Sequence, residues 1–331
     1  MPLIEKSSYR PPVLFRDAHL QTMYPYAFRF VRGVRYRRER IRTPDGDFLD
    51  LDWCDGSSAR PGRVHENLVV VSHGLEANTR WSYIRGMVRA FFRAGFDVLA
   101  WNYRGCSGHD NLAFGSYHAG VTQDLETVLV HADRRHRYRN IVLVGFSLGA
   151  NLTLKYLGEK ADNLDPRIKR AVTFSAPLDL ESCSRVLSQP ANRVYMDKFL
   201  RSLRGKVKAK SKRYPGRIDE RALKRMRTFR EFDDFYTAPA HGFQDAEDYW
   251  RRASSIRLLK YIRIPTLLVS AQDDPFLGPE CYPVGEAIDH EYFFFEAPRY
   301  GGHVGFVSFN RSGLYWSEQR AVDFVRGRIF R

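Results

Sequence analysis

Cysteine is scarce in this 331-residue chain: Cys54, Cys106, Cys183 and Cys281 stand far apart and form no C-x-x-C pair. That pattern speaks against a disulfide framework and against a cysteine metal site, and it fits the reduced thiols of a cytoplasmic protein. Long apolar runs are missing too. No stretch approaches the roughly 18 uninterrupted apolar residues of a membrane span. Met1-Pro2-Leu3-Ile4-Glu5-Lys6 has no apolar core after its charges, so a secretory leader is not expected. Repeats and low-complexity segments are absent. Acidic residues are outnumbered, 38 against 53 Lys and Arg, for a net charge of +15. The imbalance is local. Residues 198–230 carry fourteen Lys and Arg against Asp219 and Glu220, a net +12, and residues 29–42 carry seven Arg against Glu39, a net +6. The remaining chain is slightly acidic at −3, so two patches need explaining rather than a basic protein.

What is present is a chain 44% hydrophobic, long enough for one large domain with an insertion or for two. Its most informative stretch is Ile141-Val142-Leu143-Val144-Gly145-Phe146-Ser147-Leu148-Gly149-Ala150-Asn151. The four apolar residues at its start, three of them β-branched, predict a fully buried strand. G-x-S-x-G follows at once, and Ala150 to Tyr156 can continue as a helix. Strand, G-x-S-x-G and helix together are the nucleophile elbow of α/β-hydrolases. So tight a turn puts strained backbone angles on Ser147, and a side chain at 145 or 149 would strike neighbouring backbone.

Other buried-strand patterns are Leu68 to Val71, Phe96 to Trp101, Ile168 to Phe174, Thr266 to Ser270 and Tyr292 to Phe295. Val34 to Thr43 and Phe48 to Trp53 read as an edge hairpin, with residues 1–33 irregular before it. Trp81 to Phe92 and Val121 to His131 carry helical spacing, and Leu314 to Phe330 reads as a closing amphipathic helix. Strands alternating with helices predict a mostly parallel sheet covered on both faces. The alternation lapses after Leu178 and resumes near Ser254. This divides the chain into core residues 1–178, a helical cap at 179–253 and core residues 254–331.

A serine hydroxyl needs a base, and the base needs an acid to fix its tautomer. In this fold they follow in the order Ser, Asp or Glu, His, after late strands. Gly301-Gly302-His303 makes His303 the base. Asp273-Asp274-Pro275-Phe276-Leu277 supplies the acid, ambiguous between its two carboxylates; Asp274, before a proline and three residues ahead of an apolar one, is preferred. The oxyanion donors are expected to be the backbone N–H groups of Leu75 and Leu148, with His73 structural.

His19-Leu20-Gln21-Thr22, Ser72-His73-Gly74-Leu75-Glu76, Arg104-Gly105-Cys106-Ser107-Gly108, the Ser147 elbow, Phe229-Arg230-Glu231-Phe232-Asp233, Asp273-Asp274-Pro275-Phe276 and Gly301-Gly302-His303-Val304-Gly305-Phe306 together resemble the YheT-like α/β-hydrolases. The resemblance spans about residues 15 to 310. It implies a carboxylesterase-type serine hydrolase with Ser147 as nucleophile, Asp274 or its neighbour as acid and His303 as base, and relatives acting on lipid and medium-chain acyl esters. Ala150 departs from the family, where a second glycine often follows the elbow. No cofactor or metal is expected, and the partner is a small acyl ester. Acyl transfer to an alcohol would use the same three side chains. A third reading is a vestigial site in a protein whose basic segment 198–230 makes weak peripheral contact with anionic membranes. Nucleic acid is not expected there, because aromatics are few (Phe199, Tyr214, Phe229) and no recognised motif occurs.

Overall fold

The computed structural model describes residues 2–55, 65–134 and 138–329. Its strands are β1 (Leu3–Ile4), β2 (Arg37–Arg42), β3 (Phe48–Cys54), β4 (Asn67–Ser72), β5 (Asp97–Asn102), β6 (Asn140–Phe146), β7 (Ile168–Phe174), β8 (Thr266–Val269) and β9 (Phe293–Glu296). They form one sheet of nine in the order β1-β9-β8-β7-β6-β4-β5-β3-β2. Pairing is parallel throughout except at β2–β3 and β3–β5.

The central strands read as continuous apolar runs because both faces are covered. Val69, Val71, Val142, Val144 and Phe174 pack on one side, against Ile84, Met87, Val88 and Phe91 of helix Ser82–Arg93. Leu68, Val70, Ile141 and Leu143 pack on the other, against Leu125 and Val128 of helix Thr122–Asp133 and Leu154 of helix Leu148–Lys160. Between β7 and β8 the chain contains only helices and connections. The longest of these helices, Arg193–Arg213, belongs to a small apolar cluster of its own, with Met196, Leu200, Val207 and Phe232, that reaches down to Phe276.

Three expectations need correction. Residues 1–33 are not irregular: Leu3 and Ile4 pair in parallel with Phe295 and Glu296, and Ala18–Phe28 is a helix capped by the Asp17 carboxylate on Leu20 N–H (2.7 Å). That helix carried no helical signal because its burial is inverted, with Gln21 and Pro25 buried and Leu20, Tyr26 and Phe28 exposed. The edge strand is shorter than Val34 to Thr43. The closing helix is Trp316–Val325 rather than Leu314 to Phe330. It ends where Arg328 N–H turns back to the Asp323 carbonyl (2.9 Å), and Phe330 lies outside the described residues. The cysteines are all free and buried, but Cys183 and Cys281, distant in sequence, lie 3.4 Å apart at sulfur.

The closing helix is pinned to the sheet by charge. Arg320 Nε donates to Glu296 at 2.7 Å with both side chains almost fully buried, and Arg320 also donates to the Ile329 carbonyl (2.7 Å). Truncating one partner strands the other charge in a dry environment. Glu296→Ala is therefore expected to lower stability by about 3–5 kcal/mol, read from urea midpoints.

Candidate active site

β6 delivers Ser147 to the end of the sheet, and helix Leu148–Lys160 starts at the next residue. Ser147 sits at φ +53° and ψ −121°, a conformation side chains rarely adopt, and holds it with N–H to the Phe174 carbonyl (2.8 Å). The flanking glycines are dictated by contact. A Cβ at Gly145 would come 2.4 Å from the Gly149 carbonyl oxygen, and one at Gly149 would come 2.5 Å from the carbonyl oxygens of Ser72 and His73.

The loop after β9 brings His303 onto this serine. Ser147 Oγ donates to His303 Nε2 at 2.8 Å, and His303 Nδ1–H faces both Asp274 carboxylate oxygens at 3.0 Å. Three residues, of which Ser147 lies more than a hundred positions from the other two, thus form one chain of hydrogen bonds. Asp273 points elsewhere and accepts from Gly302 N–H at 2.9 Å. Leu148 opens its helix, where an N–H has no intrahelical acceptor, and Leu75 faces the same cavity as Ser147. His73 is fully buried, with Nδ1–H on the Gly74 carbonyl (2.8 Å) and Nε2 accepting from Tyr103 N–H (3.2 Å). Burial pushes it down to about 3, so it stays neutral and shapes the loop.

The His19-Leu20-Gln21-Thr22 motif, to which the sequence assigned no role, braces the histidine loop. Thr22 Oγ accepts from His303 N–H (2.9 Å) and Gln21 accepts from Val307 N–H (2.9 Å). The approach is close enough that a Cβ at Gly302 or Gly305 would meet the Ala18 or Gln21 carbonyl at 2.5 and 2.4 Å.

Above Ser147 lies a cavity of about 130 Å³ whose roof comes from the helices between β7 and β8, with Leu187, Leu203, Val207 and Phe232 among its walls. Sequence reasoning missed three polar residues in that lining, His118, His241 and Asp233. Burial holds His118 well below its ordinary value and His241 down at about 4. Only Asp233 lay in a quoted motif. It accepts from Thr237 Oγ (2.6 Å) and Trp250 Nε1–H (2.8 Å), and burial still pushes its carboxyl up to about 7. Unfolded, it would titrate near ~4. Between those values the folded chain binds more protons, so the contribution of Asp233 is full below pH ~4 and lost as pH rises toward 7. Asp233→Asn cannot ionise, so it should match the wild type near pH ~4 and gain on it progressively, to roughly 2–4 kcal/mol by pH ~7, read from urea midpoints at each pH.

The basic segment is partly an internal fastening. Lys206 donates to Glu76 (2.8 Å) and Lys210 to Asn111 (2.7 Å) and the Ala113 carbonyl (2.6 Å), while Arg217 lies over the Phe114 ring. These contacts tie helix Arg193–Arg213 and the turn after it to the loops beneath. Burial lowers Lys210 to about 8.

The model of the α/β hydrolase fold family matches residues 67–303, and YheT of Escherichia coli (strain K12) is 35% identical over 94% of this chain and 91% of its own length. The chain belongs to the YheT-like α/β-hydrolases. This hydrolase is also 30% identical to phospholipase ABHD3 of Bos taurus, over 96% of the chain and 77% of that protein. Monoacylglycerol lipase of Saccharomyces cerevisiae is likewise 30% identical, over 95% of the chain and 79% of its length. Among solved structures, the Pyrococcus furiosus esterase Pf2001 superposes with a TM-score of 0.58 at 16% identity, covering 90% of this hydrolase and 92% of the esterase, a likeness of fold. No helix among the described residues is long and apolar enough to cross a membrane.

Proposed function

We propose that the protein hydrolyses carboxylic esters through Ser147, His303 and Asp274. The observation that carries this reading is the relay of Ser147 Oγ to His303 Nε2 (2.8 Å) and His303 Nδ1 to Asp274 (3.0 Å) at the mouth of an apolar cavity. His303 takes the hydroxyl proton as Ser147 attacks the ester carbonyl, and Asp274 holds the imidazole in the tautomer that leaves Nε2 free to accept. Negative charge then grows on the carbonyl oxygen, and the N–H groups of Leu75 and Leu148 are suited to receive it. His303 returns its proton to the departing alcohol, leaving an acyl group on Ser147. Water, deprotonated by the same imidazole, releases the acid and restores the serine.

The segment 179–253 acts as a cap whose apolar underside receives the acyl chain, which gives short- to medium-chain or lipid-like acyl groups as the substrate class. Relatives named phospholipase and monoacylglycerol lipase agree with that class. Initial rates on p-nitrophenyl esters of rising acyl length, beside labelling by a fluorophosphonate, test it. Folded protein that neither turns over any ester nor takes the label would overturn it.

A further inference from the structure

The reactive serine stands between two cavities rather than at the bottom of one. Besides the cavity under the cap, a second of about 100 Å³ opens on the other side, and Leu75, Ser147, Phe199, Phe276 and His303 border both. An ester has two halves that diverge from its carbonyl carbon. With the carbonyl at Ser147, each half has its own chamber. The acyl chain goes to the chamber walled by Leu187, Leu203, Val207 and Phe232. The alcohol half then falls to the second chamber, which also takes in Thr22 and Val304 beside the histidine that protonates the leaving oxygen.

The two chambers differ in charge. Each has one lysine in its wall. Lys206, in the acyl chamber, is neutralised by Glu76 at 2.8 Å. Lys198, in the second, lies with its ammonium 3.4 Å from the Tyr26 ring centre and 5.3 Å from that of Trp81, and both rings line the same chamber. No Asp or Glu lines that chamber, and among the described residues no carboxylate lies within ion-pair distance of Lys198. Aromatic faces hold a cation in place without cancelling its charge. The ammonium keeps donors to spare, half-buried beside the half-exposed Tyr26 at the outer end of the chamber.

We propose that the second chamber binds the alcohol half of the ester and that Lys198 selects alcohols bearing a negative group, a phosphate or a carboxylate, at the end remote from the scissile bond. This rests on the ester-hydrolase reading above and adds the class of leaving group. A quaternary ammonium head is disfavoured there, because the cation site between the rings is already filled by the chain's own lysine.

Three esters of one short acyl chain test it: those of glycerol, glycerate and glycerol 3-phosphate. They share the acyl group and differ in the charge of the alcohol. The quantity read is kcat/KM for each charged ester relative to the neutral one, in wild type, Lys198→Met and Lys198→Arg, at low and high salt. In wild type at low salt a charged ester should be favoured by about 5- to 10-fold, as befits a half-exposed ion pair. That preference should collapse in Lys198→Met, return in Lys198→Arg, and shrink with salt. The glycerate and phosphate arms tell which anion fits. A wild-type ratio of one or less, or a ratio unmoved in Lys198→Met, overturns the proposal while Ser147-dependent turnover of the neutral ester leaves the hydrolase reading standing. Absence of turnover on all three overturns both.

Discussion

Replacing Ser147 with alanine is expected to lower ester turnover by about 10⁴–10⁶-fold and to abolish fluorophosphonate labelling. The size follows from what is removed. In the proposed mechanism Oγ, 2.8 Å from His303 Nε2, is both the atom that bonds to the acyl carbon and the atom whose proton His303 accepts, so neither step would have a substitute. The fold is expected to survive. The strain of φ +53° comes from a side chain in a sparsely populated region, and alanine keeps the Cβ that causes it. The hydrogen bond from residue 147 N–H to Phe174 is a backbone bond and is retained. Thermal unfolding of the variant should therefore match the wild type, which separates lost chemistry from lost structure. Activity within tenfold of wild type would sink the proposed mechanism, because cavity and oxyanion donors alone give only a small residue of catalysis.

Much of this arrangement is legible in the sequence, and for a physical reason. The elbow forces an unusual backbone, so it demands glycines at fixed spacing, and Gly145 and Gly149 announce Ser147. Strands buried on both faces leave uninterrupted apolar runs, and β4, β6 and β7 were read from those. The order of acid and base along the chain follows from the sheet, since late strands end at the same edge as β6. What stayed hidden depends on packing between distant segments. Helix Ala18–Phe28 buries a glutamine and exposes phenylalanine, so periodicity could not show it, nor that its Thr22 holds the His303 backbone. The charge of helix Arg193–Arg213 reads as a solvated face, yet Lys206 and Lys210 turn inward to Glu76 and Asn111. Segments distant in sequence meet to make the buried environment that shifts Asp233 up and His118 and His241 down, and no local pattern records that meeting.

The adjacent pair Asp273-Asp274 is where sequence alone reached its limit and where substitution gives the sharpest contrast. Neighbouring residues in a tight loop point in different directions, so one carboxylate can face the histidine while the other serves the loop. Both oxygens of Asp274 lie 3.0 Å from His303 Nδ1. Asp274→Asn would present an N–H₂ group to that nitrogen, turning Nδ1 into an acceptor and moving the imidazole proton to Nε2. The base would then have no lone pair for the serine, and kcat should fall by about 10⁴-fold at neutral pH. Asp273→Asn keeps an oxygen for Gly302 N–H and removes a carboxyl that burial has pushed up to about 6, so it should change kcat by less than about tenfold. The two variants, measured side by side on one p-nitrophenyl ester, decide the assignment. Equal losses, or a larger loss at Asp273, would transfer the role of acid to the other residue.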